Sequence, residues 1–146
     1  MKVRRSIAAA GAAVVLGTAG ALLPAVASAS SATHTLKFTA VQVKSVMFTK
    51  TTGANQETDV NAGKTVGFDV IYFAATSATS GAVNITVDTS GGFLYGTATV
   101  NIKTGAITNG KVTGGTGAFK GATGTIQAKA LNKAGTKHAV TITYSG

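Results

Sequence analysis

Apolar and polar residues alternate with a period of two along much of this chain, the period of strands with one buried face. In Val83-Asn84-Ile85-Thr86-Val87-Asp88 the odd positions are aliphatic and the even ones polar. Across 95–103, Gly96, Ala98, Val100 and Ile102 fall on one face, and Thr97, Thr99, Asn101 and Lys103 on the other. Segments 122–130 and 138–144 repeat the pattern. Near the start Leu36, Phe38 and Ala40 are in phase, and the phase then moves to Val41 and Val43, which predicts a β-bulge. No segment carries a 3.6-residue period.

Turn signals punctuate the strands: Thr52-Gly53-Ala54-Asn55, Ala62-Gly63-Lys64, Ser90-Gly91-Gly92, Thr104-Gly105, Asn109-Gly110, Gly114-Gly115-Thr116-Gly117 and Ala134-Gly135. Strands are therefore expected near 34–43, 45–50, 64–74, 82–88, 93–103, 106–113, 121–131 and 137–145. Eight antiparallel strands close into an up-and-down barrel, which leaves no free sheet edge and encloses side chains or one small ligand. Closure also explains how strands rich in Val and Thr, with no Pro to protect an edge, stay apart from one another.

The first residues read differently. Lys2, Arg4 and Arg5 precede an apolar run over 7–23, followed by Pro24 and Ala25-Val26-Ala27-Ser28-Ala29. A basic start, an apolar stretch and an Ala-x-Ala site have the layout of a secretory signal peptide. The run is rich in Ala and Gly and falls short of the about 20 strongly apolar residues a membrane span needs, so no stable insertion is expected after cleavage. The expected organisation is a signal peptide over 1–29 and one barrel domain over 30–146, secreted by a bacterium. Cleavage after Ala27 or Ala29, and general or twin-arginine export through Arg4-Arg5, both stay open.

Removing that leader changes the meaning of the charge. The whole chain is formally +9, but three of its 13 basic residues lie in the leader, so ten lysines against four acids leave +6. No Arg follows Arg5 and the lysines are scattered, whereas nucleic-acid readers rely on Arg forks and clustered basic faces. The expectation is a solvated surface with weak attraction to polyanions and no nucleic-acid partner. With no Cys in the sequence, a disulfide framework, a thiolate metal site and a cysteine nucleophile are all excluded.

The most specific segment is Lys111-Val112-Thr113-Gly114-Gly115-Thr116-Gly117-Ala118-Phe119-Lys120-Gly121-Ala122-Thr123-Gly124. It resembles the Gly-Gly-Thr-Gly-x-Phe-x-x-Ala-x-Gly signature of dirigent proteins and the matching stretch of allene oxide cyclases. The strand at Gly63-Lys64-Thr65-Val66-Gly67-Phe68-Asp69-Val70-Ile71 and that at Gly92-Phe93-Leu94-Tyr95-Gly96-Thr97-Ala98-Thr99-Val100 are similar to strands of the same superfamily. The resemblance implies a lipocalin-like eight-stranded barrel, commonly trimeric. Read from the residues alone, the Gly cluster is a tight turn between strands: alternation resumes at Ala122, and Lys120 stands where a nucleotide loop needs a third Gly.

Asp69 stands out chemically. It lies in Val66-Gly67-Phe68-Asp69-Val70-Ile71-Tyr72-Phe73-Ala74, apolar on both faces, where a carboxyl lacking water has its pKa raised into the range useful for proton transfer. The resembled cyclase strand carries a Cys at this position inside the barrel. With Asp69 inward, Gly67, Ile71 and Phe73 line the lumen beside it, and Phe68, Val70 and Tyr72 face outward toward a partner subunit. A structural role, with Asp69 hydrogen-bonded or paired with a lysine, weighs about equally.

Other constellations are weaker. His34 and His138 fall on the first and last strands, too few to hold a metal, and read as surface residues. Asn55, Glu57, Asp59 and Asn61 alternate oxygen ligands but lack the Gly and final Glu of a calcium loop, and read as a solvated turn. No cofactor is implied. Two functions follow: a secreted barrel that holds a small apolar or phenolic ligand and steers its cyclisation, isomerisation or coupling, or a non-catalytic extracellular binding protein on the same barrel. Asp69 favours the first. Thr123 and Gln42, standing where the resembled families place an Arg and a first-strand Glu, favour the second.

Overall fold

The computed structural model describes residues 32–146, so the leader expected at 1–29 lies outside the described residues. Its elements are β1 (Thr33–Met47), β2 (Thr52–Asn61), β3 (Lys64–Ala75), β4 (Ser80–Thr89), β5 (Gly92–Asn101), β6 (Ile107–Gly115), a 3-10 turn at Gly117–Phe119, β7 (Thr123–Ala130) and β8 (Lys137–Ser145). Each strand pairs antiparallel with the next and β8 pairs with β1, so the sheet is a closed eight-stranded barrel, as the alternation predicts.

One strand lies elsewhere than expected. The segment read as a second strand over 45–50 is the far end of β1, which continues to Met47 through a bulge between Gln42 and Lys44. The chain turns at 48–51, where the Thr49 hydroxyl accepts hydrogen bonds from the Thr51 and Thr52 amides at 3.2 and 3.0 Å. β2 then occupies the stretch read as a solvated turn, and its inward residues include Glu57 and Asp59, each 1% exposed. The physical reason is that β2 buries polar side chains, so its strand period carries no apolar signal.

Apolar side chains from the other strands make up the barrel interior. Val83, Ile85 and Val87 of β4, Leu94 and Ala98 of β5, Val112 of β6, Ile126 of β7 and Ile142 of β8 are all buried. The two ends of the barrel differ. At the base, the β2–β3 and β4–β5 turns and the 3-10 turn come together, and Phe119 is buried there, edge-on to Tyr144 with ring centroids 5.4 Å apart. Glycine allows this closure: Gly117 adopts φ 57°, and a Cβ there would collide with the Gly91 carbonyl oxygen. The other end is ringed by the β1–β2, β3–β4, β5–β6 and β7–β8 turns.

The outer wall has two characters. All ten lysines of the described residues are exposed. On β3, Val66, Phe68, Val70 and Tyr72 form an exposed apolar row, with Tyr72 stacked on Phe48 at 6.1 Å. Phe68, Val70 and Tyr72 thus face outward, opposite Asp69.

Candidate functional site

The inner faces of β2 and β3 bring three carboxyls together. Glu57 lies directly opposite Asp69 in the register, and Asp59, two residues along β2, lies opposite Gly67. Direct cross-strand partners have side chains about 5 Å apart at Cβ, so Glu57 and Asp69 share one stretch of wall. Asp69 is 3% exposed. On their outer sides Glu57 pairs with Gln42 of β1, and Asp69 with Val87 of β4.

Among the described residues, no lysine lines the cavity beside these acids. With all three acids ionised, no hydrogen-bond donor among the described residues reaches either oxygen of Glu57, either oxygen of Asp59, or Oδ1 of Asp69. A buried carboxyl without water or a cation favours its neutral form. Burial, aided by the charge of Asp69, pushes Glu57 up to about 8. Burial also raises Asp59 to about 8, with contributions from the charges of Asp69 and Glu57 and from a hydrogen bond with Asp69. Asp69 reaches only about 6, because burial raises it while that same hydrogen bond lowers it. Two ionised carboxylates are both acceptors and form no bond. Once Asp59 holds a proton it donates to Asp69, which stays the most acidic of the three.

Above the acids is a cavity of about 220 Å³. Glu57, Asp69, Asn55 and His138 are its polar lining, against a wall of Ile71, Phe73, Ile85, Val140 and other apolar side chains. It reaches the turn-ringed end of the barrel, where Ile102, Gly105 and Gly135 contribute to its rim. An apolar cavity of about 150 Å³ already admits benzene, so a small ring compound fits this one.

Of the residues singled out from the sequence, Asp69, Ile71 and Phe73 line the cavity. Gly67 shares their face but sits below it, where a Cβ would come within 3.5 Å of Asp59 Oδ2 and run into the Asp88 carbonyl. His138, read as a surface residue, lines the cavity instead, with its Nε2 against Gly105 and its pKa lowered by burial. His34 stacks on Tyr144 near the opposite end of the barrel, so the two histidines do not meet. Among the described residues, no three acids, histidines or cysteines are placed to hold a metal ion.

Glu57 and Asp59 were missed from the sequence. The signal that points to them is the spacing: Asn55, Glu57, Asp59 and Asn61 recur every second residue, the period of one strand face.

What the site can do follows from the split between its acids. Near pH 7 Asp69 is mostly ionised and accepts a proton, while Glu57 is mostly protonated and donates one. Acid and base face the same apolar space. No protein-family model matches this chain, and no curated protein does. Among solved structures, one titled pyocyanin demethylase matches 77% of this chain and 100% of its own, with TM-score 0.60 at 14% identity. That likeness shows the barrel fold, and it carries the barrel without the names of the allene oxide cyclase or dirigent families.

Proposed function

We propose that this protein is an exported, cofactor-free barrel that takes a small, largely apolar molecule into its lumen and moves a proton on it. In this reading Asp69 is the base and Glu57 the acid, so the reaction is an isomerisation or a cyclisation assisted by proton transfer. The observation that carries it is the pair of cross-strand carboxyls, three of their four oxygens without a partner, on the wall of a largely apolar cavity. Such a pair costs the fold stability, and no lysine of the described residues lines the cavity to offset that cost. The enclosing wall adds a second contribution, because holding a flexible molecule in one reactive shape lowers its barrier without further chemistry. Export is supported by the sequence of residues 1–29. A fold neighbour named for pyocyanin demethylation supports small-molecule chemistry in a barrel of this shape.

A non-catalytic binding protein is the second reading, favoured by Thr123 and Gln42 at the positions where the resembled families carry Arg and Glu. Native mass spectrometry of the secreted protein identifies a retained molecule, which is then incubated with the protein in D2O. The proposal expects deuterium to enter the molecule at a rate that falls on the order of a hundredfold in Asp69→Asn and Glu57→Gln. Binding without any deuterium uptake supports the second reading. Ordinary carboxyl pKa values by NMR for both Glu57 and Asp69 overturn the first.

A further inference from the structure

The lumen is unbalanced in hydrogen-bonding groups as well as in charge. Its acceptors are the oxygens of Glu57 and Asp69, three of which have no partner. Its donors are few: besides the proton that Glu57 holds, Asn55 and His138 are the other polar residues on the lining, and every lysine of the described residues is exposed on the outside. Glu57 and Asp69 are both more than nine-tenths buried and both line the cavity, and the described residues supply no donor to three of their oxygens. A ligand that completes this wall brings its own N–H groups. A ligand carrying a carboxylate meets like charge in a space where solvent screens little.

We propose that the cavity selects a small apolar molecule bearing a protonated nitrogen, whose N–H groups bond to Glu57 and Asp69, and that it rejects carboxylates. This rests on the small-molecule reading above and names the class of molecule. The apolar wall of Ile71, Phe73, Ile85 and Val140 holds the hydrocarbon part, while the acids face the cationic head. A charge-assisted bond of this kind is about twice as strong as a neutral one, and burial enhances it. The bound cation favours ionised carboxyls, so binding releases protons. Asp59 on β2 beneath the site and His138 on β8 are the other titratable groups that face it; β1, β4, β5, β6 and β7 place none on the cavity wall.

The test compares three probes that share one phenyl ring: phenethylamine, 2-phenylethanol and 3-phenylpropionate. Calorimetric titration of the secreted protein at pH 7, in phosphate and in HEPES, reads affinity and proton release together. The amine is expected to bind at least about tenfold more tightly than the alcohol. The carboxylate shows no binding, and the amine's apparent heat differs between buffers because protons leave. Glu57→Gln and Asp69→Asn, checked for folding by circular dichroism, each lower amine affinity at least about tenfold and leave the alcohol unaffected. Equal or tighter binding of the carboxylate, or amine binding unchanged in both variants, overturns the proposal. If the alcohol binds and the amine has no advantage, the cation preference fails while the small-molecule reading survives. If none of the three binds, both fail.

Discussion

The inner faces of β2–β3 and β4–β5 are adjacent walls of one barrel, built on the same alternation and opposite in chemistry. On β4 and β5 the inward positions are Val83, Ile85, Val87, Leu94 and Ala98, all buried hydrocarbon that stabilises the closed sheet. On β2 and β3 the inward positions include Glu57, Asp59 and Asp69, comparably buried and, among the described residues, with no partner outside the three acids for Glu57, Asp59 or Oδ1 of Asp69. One wall holds the barrel together and the other works against it. A fold that tolerates three such groups draws its stability from the aliphatic wall and leaves the acidic wall available for chemistry.

The largest test of that contrast is pH. In the unfolded chain these acids titrate near 4.5 and 3.8, and in the barrel near 8, 8 and 6 for Glu57, Asp59 and Asp69. Between those values the folded state holds more protons than the unfolded one, so stability is full below about pH 4 and is lost as pH rises toward 8. The loss is expected to be the largest effect on stability and is read as a falling urea midpoint from pH 4.5 to 8. His138 acts oppositely, since its lowered pKa withdraws stability only as pH falls below its ordinary 6.5. A midpoint that rises over the same range removes the contrast between the walls.

Cutting into the aliphatic wall comes next. Leu94 is fully buried among the core side chains. Leu94→Ala is expected to cost about 2–5 kcal/mol by the same denaturation measurement, at pH 5 and pH 8 alike. The smallest effect has the opposite sign. Glu57→Met keeps the side chain's length and removes an unpartnered carboxyl, and is expected to raise stability at pH 8 by about 1–3 kcal/mol. It also flattens the pH dependence. A destabilised Glu57→Met protein at pH 8 shows that Glu57 has a partner and the acidic wall carries no penalty.

The same contrast decides what was legible in the sequence. β4, β5, β7 and β8 announce themselves because inward positions are apolar and outward ones polar, the pattern burial imposes. Asp69 was visible as a candidate because it interrupts an apolar strand. Glu57 and Asp59 were not, because along β2 the buried residues are polar and the rule equating apolar with inside fails. The bulge was foreseen from the phase change after Ala40, yet the strand's continuation to Met47 depends on its pairing with β2, including Met47 opposite Gly53. An unstructured stretch spanning 51–63 inside so small a domain was itself evidence for a hidden strand. That three acids meet at one place is a product of register, since Glu57 faces Asp69 only once β2 and β3 are paired.

Phe119 and the 3-10 turn are packed at the base of the barrel, and the cavity reaches the opposite, turn-ringed end. On the proposed function, a molecule that reaches the acids passes that rim, so the tempo of its exchange is set by residues such as Ile102, Gly105 and Gly135, which lie far along the chain from Glu57 and Asp69.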